Sequence, residues 1–242
     1  MYRNLSPTRR LVILSVIAFN LVILTYRLPS NPPGFFIDES IYGFEAYTIL
    51  KTRGFSSSGE FLPRLFLESG STARNHGLYA YWAIPFIGLF GMNAVSVRLT
   101  SVVSSIALLC VIYFMLRSQV SEWSILLAAV WWPITSWVFL LSRFGVELIS
   151  TALVSTLTMW LLIKIYRSKE TSNCHILLLD VFVVLQFFMY ASGPALASGY
   201  TAVGLLILLR KQAPAQYILK LILAPVAILL LSLPYLSEFK TS

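Results

Sequence analysis

The chain has 242 residues, of which 57% are hydrophobic and 12% charged, with a formal net charge of +8. Soluble domains carry about 25% charged residues, so this composition excludes an ordinary soluble domain and points to a polytopic membrane protein. The positive charge does not indicate nucleic acid, because Lys and Arg sit in small clusters between long apolar runs, as membrane orientation requires.

The first apolar run, 11–28, follows Arg3, Arg9 and Arg10. It lacks a small-residue cleavage site and reads as a retained anchor helix. Hydropathy then predicts seven crossing helices over about 10–29, 95–116, 122–141, 147–166, 175–191, 195–210 and 216–235. The segment 78–90, LYAYWAIPFIGLF, is too short to cross and carries Tyr and Trp, so it reads as interfacial.

Placing the N-terminus in the cytoplasm, with 78–90 not crossing, puts Arg117, Lys164, Arg167, Lys169, Arg210, Lys211 and Lys220 inside, as the positive-inside rule asks. The stretch 30–94 is then one long extracytoplasmic loop. Glu147 and Arg143, between two later spans, face the same side. The expected fold class is therefore an all-α polytopic membrane protein. It forms one transmembrane domain over 1–242, with a long first outer loop carrying juxtamembrane helices. The two cysteines show no disulfide or zinc spacing.

Chemistry concentrates in that loop. In PPGFFIDESIYGFEAY, Asp38 and Glu39 stand side by side. After Pro-Pro-Gly, Asp38 reads as a helix N-cap, or as a general base at the membrane surface; an oxygen-ligated divalent metal is a further use. The following segment has Ile41, Phe44 and Tyr47 at near-helical spacing, the pattern of a surface amphipathic helix that stops at Gly54. Arg98 opens a span and reads either as a snorkelling interfacial residue or as a phosphate ligand.

In SRFGVE, Arg143 and Glu147 are four apart and read as an exposed helix pair. Glu147 also starts an apolar run, where acidic groups carry function. His76 sits before the interfacial segment and reads as a loop residue or as a contact for a lipid head or metal. His175 reads as a solvated helix end and Asp180 as a polar group satisfied within its helix. No P-loop, nucleophile elbow or zincin motif is present.

Four stretches, in order, resemble the GT-C glycosyltransferases that use lipid-phosphate sugars, in particular protein O-mannosyltransferases and aminoarabinose transferases. They are PPGFFIDESIYGFEAYTILKTRG, NHGLYAYWAIPFIGLFGMNAVSVRLTSVVSSIALL, WWPITSWVFLLSRFGVE and FFMYASGPAL. The resemblance implies a sugar moved from a polyprenyl-phosphate donor to an acceptor hydroxyl on the extracytoplasmic face, with inversion. It implies Asp38 as catalytic base with Glu39 beside it, Arg98 and His76 holding the donor phosphate or positioning the loop, and Glu147 as a second acidic position.

The implied partners are the lipid-linked donor, a protein, lipid or glycan acceptor, and membrane lipids. The implied setting is a bacterial or archaeal plasma membrane, and a divalent metal remains open. His76-Gly77 stands where the family often has Pro-Pro. Relatives have more spans, so the family's C-terminal half is expected to be absent. Two other readings stand beside the enzyme: a catalytically incomplete module that binds polyprenyl phosphate or a partner subunit, and a transporter, for which the sequence shows no repeat.

Overall fold

A computed structural model describes residues 7–57, 59, 61, 66–69 and 73–238, without the side chains of 66–69, 73–76, 224, 229 and 231–238. Among the described residues the chain is helical apart from one short hairpin. It divides into two compact units, Met1–Leu153 and Val154–Ser242.

Unit 1 begins with α1 (Pro7–Thr25), followed by a connector with α2 (Ile37–Lys51) beyond it. The hairpin β1 (Phe66–Ser69) and β2 (Ala73–His76) is antiparallel, with Phe66 opposite His76. Next come α3 (Leu78–Phe90), α4 (Ala94–Leu116), α5 (Glu122–Trp131) and α6 (Ser136–Arg143). Then α7 (Leu148–Arg167) runs from unit 1 into unit 2, which adds α8 (Asn173–Met189), α9 (Gly193–Arg210) and α10 (Ala215–Glu238).

Local chemistry sets several of these boundaries. Asn93 caps α4 by accepting from the Ser96 N–H at 3.0 Å, while Ser96 Oγ accepts from the Asn93 N–H; this is a reciprocal cap. Ser121 caps α5 in the simpler way. α2 ends where Arg53 and Gly54 take positive φ values of 59° and 116°. The Gly54 N–H returns to Ile49 O, a Schellman closure.

Among the described residues, four helices are long and apolar enough to cross a membrane: α1, α4, α7 and α9. The expected span 122–141 is instead a broken pair, α5 and α6, bent by 63°. Pro133 lies in the 3-10 turn at the break, where its ring and missing N–H interrupt the helical ladder. Counting that pair as one span gives five candidates. A helix also covers each of the last two hydropathy-predicted stretches that remain. α8 has 17 residues, and the described apolar part of α10 is Ala215–Ile228. α3, at 13 residues, is as short as its apolar run.

On α2 the Ile41/Phe44/Tyr47 stripe is divided: Phe44 is 56% exposed, while Ile41 and Tyr47 pack against the core, and Tyr42, Ala46 and Ile49 are buried together with Glu39 and Glu45. The carboxylates turn inward because partners wait there, and an apolar side chain facing lipid costs nothing. Glu45 accepts from the Ser57 N–H and hydroxyl, tying down the following loop. The α2–α3 layer packs on α4 through Tyr42, Ala46, Tyr79, Ala83, Ile87 and Val97.

α4 carries a buried polar seam of Ser96, Arg98, Thr100, Ser101, Ser104 and Ser105. Ser150 donates to Ser104, and both Ser142 and the Trp132 indole N–H donate to Ser105. Small hydroxyl residues let helices approach and bond across an apolar phase.

In unit 2, α8 buries Ile176, Leu179, Val183 and Gln186, with Asp180 on the same face. The Gln186 side-chain oxygen accepts from Ser155. Asp180 Oδ1, His175 Nδ1 and Gln186 Nε2 are buried with no hydrogen-bond partner among the described residues. That corrects the reading of Asp180 as helix-satisfied: a carboxylate in a helix interior finds no free N–H on its own helix; His175, near the start of α8, is half-buried.

Candidate active site

The loop between α1 and α2 is wrapped around two buried arginines. Arg98, in the second turn of α4, is fully buried. Its Nε and Nη2 donate to the two oxygens of Glu39, at 2.8 and 3.0 Å. Nη1 donates to Leu28 O and Pro32 O, and Nη2 also to Gly34 O at 2.6 Å. All five N–H bonds are thereby used.

Gly34 contributes its carbonyl from a φ of +80°, a conformation that suits only glycine here. Arg143, at the end of α6, donates to Ile23 O, Tyr26 O and Asn31 O. It thus places its charge on the carbonyl end of α1, where the helix dipole favours a cation. The ring of Phe139 covers it at 4.7 Å.

Glu39 answers from the other side. It sits in the first turn of α2, fully buried. One oxygen takes Arg98 and the Gly145 N–H at 2.8 Å; the other takes Arg98 and the Phe36 N–H at 2.9 Å. A buried charge pair is tolerable only when its remaining hydrogen-bonding capacity is filled, as it is here.

Close backbone approach makes this possible. A Cβ on Gly145 would lie 2.6 Å from Val97 Cγ1, and one on Gly43 2.8 Å from Val97 Cγ2. Val97 of α4 is therefore clasped between α2 and the turn after α6.

These contacts correct three expectations. Glu39 is no free partner for catalysis, because its four acceptor positions are filled. Arg98 has no N–H left for a donor phosphate, so of its two expected roles the contacts support loop positioning. Arg143 and Glu147 form no helical pair, because α6 ends at Arg143 and α7 begins at Leu148. The Asp38 cap reading also changes: the N-cap residue is Phe36, and Asp38 is the second residue of the first turn. Side chains successive on a helix diverge by about 100°, so burying Glu39 turns Asp38 away from the arginine.

Asp38 remains half-buried at the rim. Beside it stand Glu147, at the entrance of α7, and the Tyr42 hydroxyl, both within electrostatic range of Asp38. Burial pushes the Glu147 carboxyl above its ordinary value, and the nearby Asp38 charge adds to this; the Tyr42 hydroxyl works the other way. Burial, then Glu147, raises Tyr42 in turn, which keeps the phenol protonated.

Tyr42 leans edge-on against Tyr79 at 5.1 Å. Tyr79 is fully buried, and its hydroxyl shares a hydrogen bond of 2.8 Å with Ser101, which donates to Val146 O. Phe36 and Phe144 meet at 5.2 Å and close the rim on another side.

The structure thus brings Asp38, Glu39, Arg98 and Glu147 to one end of unit 1. His76 ends β2, and its side chain lies outside the described residues. No group of three or more His, Cys, Asp and Glu that could hold a metal occurs among the described residues; Asp38 and Glu147 supply two carboxylates.

Tyr42 is the residue that the sequence reading passed over. Its signal was present, since Asp38 and Tyr42 are four apart and share one helix face. Tyr79 and Ser101 had no comparable signal. No family model matches this sequence, and no curated protein or solved structure matches it.

Proposed function

We propose that the chain is a membrane glycosyltransferase of the GT-C type. It would take a sugar from a polyprenyl-phosphate donor and place it on an acceptor hydroxyl at the Asp38 end of the bundle. The observation that carries this reading is the contrast within one dipeptide. Glu39 is consumed by the Arg98 cradle, and the cradle leaves Asp38 accessible and fixed beside Glu147 and Tyr42.

In the step so assigned, Asp38 accepts the proton of the acceptor hydroxyl. The acceptor oxygen attacks the anomeric carbon, and the carbon–oxygen bond to phosphate breaks. Polyprenyl phosphate leaves with the electron pair, and the configuration inverts. General-base assistance of this kind contributes about 10²–10⁴-fold. Glu147, held towards its neutral form, and the protonated Tyr42 can donate hydrogen bonds to the sugar or acceptor. A donor energised in the bilayer accounts for the lack of any phosphate-binding glycine loop in the sequence. The outer-face orientation and the seven-span count belong to this same proposal.

The test is native mass spectrometry of wild type and Asp38→Asn extracted from membranes containing polyprenyl-phosphate sugars, with release of free polyprenyl phosphate as the activity readout. Wild type is expected to release it; Asp38→Asn is expected to retain the glycosylated lipid. Retention by both forms without release would instead identify a lipid-binding module. Absence of such lipid from both would sink the donor reading.

A further inference from the structure

At the end of unit 1 opposite Asp38, α1, α4 and α5 leave space between them. An apolar cavity of about 140 Å³ lies there, lined by Ile13 and Ile17 of α1, Leu109 and Phe114 of α4, and Leu126 and Ala129 of α5. Apolar cavities of about this size stay dry and admit hydrocarbon guests.

The cavity has a charged rim. Tyr113, which also lines it, donates its hydroxyl to Glu122 Oε1 at 3.0 Å. Arg9 meets Glu122 Oε2 at 3.4 Å, and Arg117 lies over the Phe114 ring at 5.1 Å. Tyr113 is within electrostatic range of both arginines. Two cations and one carboxylate around a wholly apolar opening leave a net positive mouth. That mouth sits at the start of α1 and the end of α4, where headgroups of one leaflet belong.

We propose that this crevice binds an anionic phospholipid, with an acyl chain end in the cavity and the phosphate against Arg9 and Arg117. The chemistry of both halves agrees. The interior offers no polar partner for water, and Arg suits phosphate oxygens. Because Ile17, the cavity residue of α1 nearest its C-terminal end, still lies about 12 Å of helix from Thr25, and the Asp38 site lies beyond that end, the proposal does not depend on the glycosyltransferase reading.

The experiment measures lipid retained after delipidation and exposure to equal amounts of phosphatidylglycerol and phosphatidylcholine, by native mass spectrometry. Wild type is expected to keep phosphatidylglycerol in preference. The Arg9→Gln/Arg117→Gln variant is expected to lose that preference, by roughly fivefold for each arginine removed. Cys110 of α4 also lines the cavity, so Cys110→Phe and Ile13→Trp fill it from different helices, and either is expected to reduce retention of both lipids while the protein stays monodisperse; if one fails to fold, the other gives the result. Equal retention of the two lipids by wild type would overturn the proposal. So would undiminished retention in the folded filling variants, and so would displacement of phosphatidylglycerol by inorganic phosphate, which would mark a simple anion site.

Discussion

Glu39 and Asp38 are neighbours in sequence and opposites in surroundings. The Glu39 region is sealed: a fully buried carboxylate with four hydrogen bonds, facing an arginine that spends all five of its own. The Asp38 region is open, with a half-buried carboxylate grouped with Glu147 and Tyr42. One is locked into the framework of the loop, the other stands at an open rim, and a single helical step separates them. Two acidic residues side by side are thus not a dyad; the first is presented because the second is anchored.

The largest expected effect comes from breaking the sealed side. Arg98→Ala leaves the buried Glu39 charge uncompensated and frees the carbonyls of Leu28, Pro32 and Gly34, so stability is expected to fall by about 3–5 kcal/mol. Arg98→Lys is expected to recover only part, because a lysine cannot serve both carboxylate oxygens and three carbonyls at once. Thermal unfolding in detergent measures both. A loss under about 1 kcal/mol in Arg98→Ala would mean that the cradle does not hold the loop.

Next is the backbone approach that lets Gly145 donate to Glu39. Gly145→Ala would set a Cβ 2.6 Å from Val97 Cγ1 and 3.2 Å from the Val97 carbonyl. Such overpacking is expected to cost about 1–3 kcal/mol. Adding Val97→Ala removes the methyl clash, so the double variant is expected to be more stable than the sum of the two single losses. Simple additivity would show that the crowding is relieved elsewhere.

Much of this architecture was legible beforehand, and the misses share a cause. Apolar run length located every long helix, because hydrocarbon thickness fixes that length. The segment 78–90 likewise forms a helix, α3, no longer than its apolar run. Hydropathy averages over a window, so it passed across Pro133 and joined two bent helices into one. The Ile41/Phe44/Tyr47 stripe held no sign that Glu39 and Glu45 are buried, because the groups that bind them come from outside α2.

At the site, the gathering of Asp38, Arg98 and Glu147 followed from topology alone. The division of labour between Asp38 and Glu39 did not, because it depends on which carboxylate meets Arg98 across 59 residues of sequence. Tyr79 and Ser101 were invisible for the same reason: their link is tertiary.

The open side is expected to behave differently under a conservative change. Asp38→Asn removes a charge from a half-buried position without disturbing the cradle, so its stability is expected to stay within about 0.5 kcal/mol of wild type. Transfer activity is expected to drop by the 10²–10⁴-fold that a general base contributes, roughly. An Asp38→Asn protein destabilised as much as Arg98→Ala would show that the two regions are one structural unit.

The smallest effect is a slope with pH, and it belongs to Glu147. Its ordinary carboxyl value is 4.5, and burial, then Asp38, holds it higher in the folded chain. Between the unfolded and the folded value the native state therefore binds more protons than the unfolded one, and stability falls as pH rises through that interval. Below it the penalty is absent; above it the penalty is fully present. This is opposite in sign to a salt-bridged carboxylate, whose contribution is lost on acidification. Glu147→Gln removes the titrating group while keeping a side chain that Tyr42 can bond. The variant is expected to unfold at a higher temperature than wild type at neutral pH and to lose the downward slope above pH 4.5. Comparing unfolding midpoints across that range in the two proteins decides it: parallel curves would mean that Glu147 is as well solvated as an exposed carboxylate, and the open side of the site would then be wetter than its burial implies.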